Sequence, residues 1–591
     1  MILLTSIYLN QNQRLFLDII KFFHRMNIVF FTPYFSMWNT FMTENLLIEQ
    51  LSENNNITVL YCRNFMNNIC IAHDAEHKSI FSAKKDKLKI CNICNANFNE
   101  ISQNSLIKFI CIDDYISSDV NKIISEFNFN SKSNNELLEF EINNIKIGKM
   151  ALYESSLRKK KIHPNINDNE EKQEIIDKIQ QIIKFNNSLA SIYKNLAPDF
   201  AVTTNGFYYI TNFFLKFNES KKVNTISLFN SLNYRFARSD LRICYQNEFI
   251  DKSLLSSNFK IYNKLPLYKS SLSQALLNVE SQIKKEHSHS FAPKYLKDVD
   301  IRKKFNIKKE KKIILVILSS QAEIFSAKYV LSKEFEKGIF NSQLDFLKFI
   351  LEKSKELDDF HFIIRTHPRQ YIGNIADEII QMNELNLDEY KNISINTPED
   401  GLSPFNFIKD IEFVINSWSS LAIDFGVFGL ENITIFPEFS LYPKECMNIL
   451  DSKEHLVTKI FEIKKRNINR SIISLKYLQA ENMLAVVNFR KNFFLSKSFF
   501  SFFNNILDKF LFRFFYIRIW RFIKNISVNN VDKLALKYFF NKNYVTYHES
   551  KFYAIQENKS KSSSIEINDY ALVKTEINKF TKKNFNYSNF I

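Results

Sequence analysis

The sequence predicts an α/β protein of two domains, each a parallel sheet covered by helices on both faces, followed by a helical extension. Three observations predict it. Short runs of Ile, Val, Leu and Phe alternate with longer stretches of helical period, and the alternation occurs twice. It lapses once, over a polar, charged stretch at 286–310. At 591 residues the chain is longer than one hydrophobic core sustains, since domains hold about 150 residues each.

Residues 6–26 carry an amphipathic helical period and lead into Asn27–Pro33, a buried strand closed by a turn. Thr43–Glu53 resumes the helical period, and Ile57–Tyr61 is the second strand, so the chain opens β-α-β. Ile107–Ile112 and Phe200–Thr203 are further strands, the latter preceded by a long helix from about Asn169 to Leu196. After the charged stretch, Ile313–Leu318 is a strand, Leu344–Leu357 a helix and Phe360–Arg365 a strand. Phe413–Asn416, Ser419–Phe428 and Ile433–Phe436 follow as strand, helix and strand. The expected organisation is an N-terminal helix at 1–26, a Rossmann-like domain at 27–285 and a linker at 286–310. A second Rossmann-like domain at 311–480 and a basic, aromatic extension at 481–591 complete it.

Composition narrows the function classes. With 45% hydrophobic and 24% charged residues the chain is globular. Its 7 glycines leave no Gly-rich phosphate loop. The net charge of +16 accompanies 59 Phe and abundant Lys, Asn and Ile, a background bias that weakens charge as a sign of nucleic acid. No aromatic residues interleave with basic ones in a recognised RNA-binding pattern, so no nucleic-acid partner is expected. No uncharged apolar stretch reaches the roughly 18–20 residues that span a bilayer. The first basic residue, Arg14, follows the polar run Asn10–Gln13 with no signal-peptide pattern, and a cytoplasmic protein is expected.

In open α/β sheets ligands bind beyond the carboxyl ends of the strands. Three polar clusters stand there in the second domain: Ser319-Ser320-Gln321-Ala322-Glu323, Arg365-Thr366-His367-Pro368-Arg369, and Asn416-Ser417-Trp418-Ser419-Ser420. Arg365, His367 and Arg369 can donate charge-assisted hydrogen bonds to phosphate oxygens. Ser419 and Ser420 open a helix, and Asp424, about one turn on, can accept from ribose hydroxyls. Each cluster also has a plain structural reading. His163-Pro164 shows that a His-Pro pair is cheap, and a Ser pair before a helix is first an N-cap. Their placement after successive strands favours a site.

Arg365-Thr366-His367-Pro368 and the Ser419-Ser420 pair, on the second of two Rossmann-like domains, resemble the HP and SS motifs of bacterial capsule-polysaccharide glycosyltransferases. These are the Kdo-transferase and sialyltransferase groups, which use CMP-activated sugars on a GT-B fold. The resemblance covers Ile313–Phe436 best and implies two domains facing across a cleft, with the donor on the second. It implies that His367 contacts the donor phosphate, with Ser419 and Ser420 on the same phosphate, and a glycan or lipid-linked glycan acceptor. It implies no required cofactor. A related His-Pro, Ser-Ser and Asp pattern occurs in the CDP-glycerol-using phosphotransferases of teichoic-acid synthesis. That keeps a CDP-polyol phosphotransferase as an alternative, beside a non-catalytic polyanion-binding α/β protein and an inactive transferase-like partner.

By the same resemblance the acceptor belongs to the first domain, whose strand-end polar residues are Thr32, Tyr34, Ser36, Asp113, Asp114, Thr203, Thr204 and Asn205. Activating an acceptor hydroxyl needs a positioned carboxylate or His. Asp113 and Asp114 are the catalytic candidates, with Glu154 as another, each set against a capped turn as the plain reading. Five of the seven cysteines fall between 62 and 111. Cys70-x-x-His73 and Cys91-x-x-Cys94 have the spacing of a structural zinc site within the Cys62–Cys94 region, and as small hydrophobes the thiols need no metal. The tail Phe493–Lys524 sets eleven Phe among basic residues. It is expected either to pack back on the first domain or to dock at the anionic inner membrane surface.

Overall fold

The computed structural model describes residues 25–66, 68–75, 78, 80–161, 166, 168–230, 241–245, 259–285, 293–323, 326, 338–371, 375–440, 442–463, 466–484, 566–567 and 570–586. The expected helix at 6–26, His163-Pro164 and the tail Phe493–Lys524 lie outside them, apart from residues 25 and 26.

The first sheet is built from β1 (Asn27–Phe31), β2 (Asn56–Tyr61), β3 (Ile107–Cys111), β4 (Phe200–Thr204), β5 (Asn224–Asn230) and β6 (Leu241–Tyr245). Its order is β3-β2-β1-β4-β5-β6. All neighbours are parallel except β5 and β6, so the purely parallel sheet expected gains an antiparallel edge. Among its helices are α1 (Trp38–Ser52), α2 (Lys84–Ile101), α3 (Tyr153–Lys159), α4 (Asn169–Ile192) and α5 (Tyr209–Ser220). Alternation along β1 explains why a continuous apolar run makes a strand buried on both sides. Val29 and Phe31 pack with Ile175, Ile179, Phe185 and Phe214 of α4 and α5. Ile28 and Phe30 pack on the opposite face with Leu47, Ile48 and Leu51 of α1. Asp168 caps α4 by accepting the Glu170 N–H at 2.8 Å.

The second sheet repeats the plan. Before it, α6 (Lys269–Ile283) is in place; the strands are β7 (Lys312–Ile317), β8 (Phe360–Arg365), β9 (Ile393–Asn396), β10 (Ile411–Asn416) and β11 (Asn432–Thr434). They run in the order β9-β8-β7-β10-β11, all parallel. Among its further helices are α7 (Gln343–Ser354), α8 (Asp377–Asn383), α9 (Leu421–Val427), α10 (Ile468–Leu484) and α11 (Tyr570–Phe585). Ile314, Val316 and Leu318 face Phe346, Leu347 and Ile350 of α7. Ile313, Leu315 and Ile317 face the other core, to which α6, α9, α10 and α11 all contribute.

That second core redraws the expected boundaries. It includes Phe259, Tyr262, Leu272, Ala275 and Val279, from before residue 285. It also includes Ile301 and Ile307, from the stretch read as a linker. A short helical turn, Ile301–Lys304, capped by Asp300, turns the apolar minority of that charged stretch inward. At the other end α11 lays Val573, Ile577, Phe580 and Phe585 on this core, and Glu566–Ile567 pairs antiparallel with Leu267–Tyr268.

The molecule is thus α/β with two Rossmann-like sheets. In each, the chain steps outward on one side of the first strand and then returns to its other side. The crossover points lie between β1 and β4 and between β7 and β10, where such folds open a crevice at the carboxyl ends. Among the described residues no helix is long and apolar enough to cross a membrane.

Candidate functional site

The carboxyl rim of the second sheet is fastened by one side chain. Gln343, buried at the start of α7, accepts the Ser319 N–H at 2.8 Å and the Ser417 hydroxyl at 2.5 Å through Oε1. Its Nε2 donates to the Ser319 carbonyl at 2.8 Å. The loops after β7 and β10 are therefore tied together across the crossover point. Glu378 of α8 holds the first loop from the other side, accepting the Gln321 N–H at 2.6 Å. Burial pushes its carboxyl above the ordinary range.

The loop after β8 carries the basic groups. Arg365 is 3% exposed, donates to Asn396 Oδ1 and lies over the Phe407 ring at 6.0 Å. Burial draws its pKa down to about 10 against the field of Asp400, which leaves it charged at neutral pH. His367 opens the short 3₁₀ turn Pro368–Tyr371, its N–H donating to Gln370 Oε1 at 2.8 Å. Its Nδ1 is buried with no hydrogen-bond partner among the described residues. Burial lowers the imidazole below its usual value, Glu323 opposes the shift, and Arg369, Arg365 and Lys160 add to it. A neutral imidazole among cations is poised to gain a proton when an anion arrives. Arg369 is ion-paired with Glu323 at the solvent side.

The loop after β10 is held by Asn416, whose Oδ1 accepts the Ser419 N–H at 2.7 Å. Ser419 Oγ in turn accepts the Leu421 N–H at 3.3 Å, so Ser419 does act as a cap of α9. Ser420 has helical backbone and makes no side-chain cap. The structure therefore gathers Ser319, Ser320, Glu323, Arg365, His367, Pro368, Ser419 and Ser420 at the ends of three adjacent strands. Asp424 is not gathered with them. It is 4% exposed within the helix packing, where Gln282 Nε2 of α6 donates to it at 3.0 Å. Burial, with Glu481 nearby, pushes its carboxyl up to about 7.

The three catalytic candidates of the first domain have structural partners. Asp113 accepts the N–H groups of Arg63 and Asn64, both at 2.9 Å, and so fixes the turn after β2. Asp114 pairs with the Arg63 guanidinium at 3.2 Å. Glu154 is buried; it accepts the Tyr209 N–H at 2.8 Å and faces Lys178 Nζ at 3.3 Å. Lys178 also meets Glu174 at 2.8 Å, and Arg158 bridges Glu174 and Asp74. Burial raises the Glu154 carboxyl, and Lys178 holds part of the shift back. This closed network pins α3 and α5 to α4.

Sequence reading passed over Glu44 of α1. It is fully buried, and neither carboxyl oxygen has a hydrogen-bond partner among the described residues. Its polar neighbours are Thr32 and Thr204, at the ends of β1 and β4, so it sits at the crossover point of the first sheet. Burial pushes its carboxyl up to about 8, with the two hydroxyls opposing weakly.

The cysteines whose spacing left a zinc knuckle open, beside the plain small-hydrophobe reading, make separate contacts. Cys91 and Cys94 lie within α2, an 18-residue helix. Cys91 Sγ is 3.5 Å from His73 Nε2, while Cys94 Sγ accepts the Ser36 N–H at 3.1 Å. Burial pushes the Cys91 thiol up to about 11 and the His73 imidazole down to about 4. Among the described residues no group of three or more His, Cys, Asp or Glu is placed to hold a metal.

No protein-family model matches the chain, and no curated protein matches it. Solved structures do. KpsC of Thermosulfurimonas dismutans, a beta Kdo 2,4 transferase, is 9% identical over 47% of this chain and 78% of its own, with a TM-score of 0.29. The UDP-GlcNAc 2-epimerase of Neisseria meningitidis, bound to UDP-GlcNAc, is 13% identical over 78% of this chain and 97% of its own, at 0.27. The calicheamicin glycosyltransferase CalG4 is 8% identical over 78% and 95%, at 0.23. Likeness at this level leaves the fold to be read from the strand order itself.

Proposed function

We propose that the chain is a glycosyltransferase of capsule or surface-polysaccharide assembly, moving a sugar from a nucleotide-activated, CMP-linked donor to a glycan or lipid-linked glycan acceptor. One observation carries the reading: His367, whose buried Nδ1 has no hydrogen-bond partner among the described residues, follows β8 on the carboxyl rim of the second sheet, where the charges of Arg365 and Arg369 act on it. In transfer, the acceptor oxygen bonds to the anomeric carbon, the bond from that carbon to the phosphate oxygen breaks, and the phosphate keeps the electron pair. Cations and a protonatable imidazole stabilise the charge that develops there. The loops tied by Gln343 and Glu378 present backbone and Ser319, Ser320 and Ser419 beside it. The reading places the protein in the cytoplasm, where activated sugars are made. Asp113, Asp114 and Glu154 are engaged in structural contacts, so the proton acceptor is left open.

A thermal-shift panel of CMP, CDP, UDP, GDP and ADP tests the reading. A ligand that binds only the folded state raises stability by RT ln(1 + [L]/Kd), about 2.7 kcal/mol at a hundredfold excess. The largest shift is expected from a cytidine nucleotide, and His367→Ala should abolish both the shift and transfer while the far-UV spectrum is unchanged. Equal, negligible shifts across the panel would sink the enzyme reading.

A further inference from the structure

The carboxyl rim of the first sheet holds a cluster of oxygens that no hydrogen bond joins. Phe31 of β1 stands beside Thr203 of β4, so Thr32 and Thr204 follow as neighbours across the crossover point. The Thr32 N–H donates to the Leu60 carbonyl at 3.0 Å and carries the strand bonding of β1 one residue further. Alternation then sets the faces. Thr32 lies two residues beyond Phe30 and Thr204 two beyond Val202, and Phe30 and Val202 both belong to the core on the α1 side. On α1, Glu44 precedes Leu47 and Ile48 by three and four residues, the spacing of one helix face, and those two pack in the same core. Glu44, Thr32 and Thr204 therefore converge from one helix and two adjacent strands.

All three side chains are buried. Thr32 Oγ1, Thr204 Oγ1 and both Glu44 carboxyl oxygens have no hydrogen-bond partner among the described residues. Tyr34 directs its hydroxyl to the Thr204 carbonyl instead. Burial and the two hydroxyls are the influences on the Glu44 carboxyl, with no cation among them. A carboxylate held ionised away from water needs a counter-charge. A set of oxygens without nitrogen or sulfur suits a hard cation. With one carboxylate among neutral hydroxyls, a single positive charge balances the set.

We propose that Glu44, Thr32 and Thr204 bind a monovalent alkali cation, sodium or potassium, at the crossover point of the first sheet. The carboxylate is the charged ligand and the two hydroxyls are neutral ones. The ion ties α1 to the ends of β1 and β4, as Gln343 ties the two rim loops of the second sheet. The proposal is independent of the donor-site reading, since it concerns the other sheet and involves no substrate.

The test uses the full chain, unfolded by urea at about pH 9, where a free carboxyl is ionised. Sodium chloride and potassium chloride are compared with choline chloride at equal ionic strength, which holds screening constant. A tenfold rise in the bound ion is expected to raise the ratio of folded to unfolded chain by up to about tenfold, and choline should not. Glu44→Gln keeps the shape and removes the charge, so its unfolding in the three salts should coincide. Thr204→Val and Thr32→Val each remove one neutral ligand and should reduce the response by about threefold or more. If Glu44→Gln fails to fold, the two valine variants are read in its place. Wild-type curves that coincide in all three salts overturn the proposal. So does a response to sodium or potassium that survives in Glu44→Gln or in both valine variants, because the ion then binds elsewhere. Either result leaves the donor-site reading standing, since CMP binding is measured separately.

Discussion

Glu44 shows how much one side chain at a crossover point can weigh. An acid near 4.5 in the unfolded chain and about 8 in the fold binds more protons folded than unfolded between those values. Stability therefore declines as pH rises through that window and levels off above it. Asp424, raised to about 7, acts in the same direction over a narrower range. Glu44→Gln keeps the shape and removes the titration. It is expected to raise stability at pH 8 by on the order of a few kcal/mol and to change it little at pH 5. Urea unfolding of both proteins across pH 5 to 9 checks this, and parallel profiles would show that Glu44 ionises freely. Gln343 and Glu378 share one property with Glu44. Each earns its role from partners far along the chain, which no local pattern announces.

At the scale of elements, the loops after β7 and β10 behave as one unit because Gln343 joins them. It sits 24 residues from Ser319 and 74 from Ser417. Gln343→Ala strands a buried N–H, a carbonyl and a hydroxyl, at a cost of about 1–3 kcal/mol for each that stays unpaired. It should also weaken CMP, since the rim loses its fastening. Denaturant unfolding beside a CMP titration measures both, and full CMP affinity in a destabilised protein would separate the tie from the site. The strands were legible because runs such as Ile313–Leu318 are apolar on both faces, as a two-sided parallel sheet requires. Less was legible where chemistry is mixed. α2 hides behind Lys and Asn, and its cysteine spacing resembles a metal knuckle more than a helix. β9, Ile393–Asn396, is half polar and only four residues long. The strand-end clusters could be found because fold class alone says where to look. The direction of Asp424 could not, because one helical turn separates a residue on the rim from one in the packing.

For the whole molecule, the second domain is not a contiguous stretch of sequence. Its core takes residues from 259–283, from the charged stretch around Ile301 and Ile307, and from α11 near the chain's end. Charge composition suggested a linker, yet two isoleucines were enough to fold part of that stretch inward. Ile577 of α11 is fully buried in this core. Ile577→Asp places a carboxylate there, and a loss of more than about 3 kcal/mol is expected. Calorimetry should show the loss in the unfolding of the second domain, with the first unaffected. An unchanged thermogram would mean that α11 adds nothing to the core.

The docking of α11 has a further consequence. It joins the second domain through one helical face and a two-residue ribbon, Glu566–Ile567 against Leu267–Tyr268. In thermodynamic terms it is a ligand carried by its own receptor. Its occupancy is set by an effective concentration that the covalent link supplies. The contact therefore depends on the unbroken chain between α10 and Glu566. Severing the chain there would turn a concentration-independent contact into one governed by mass action.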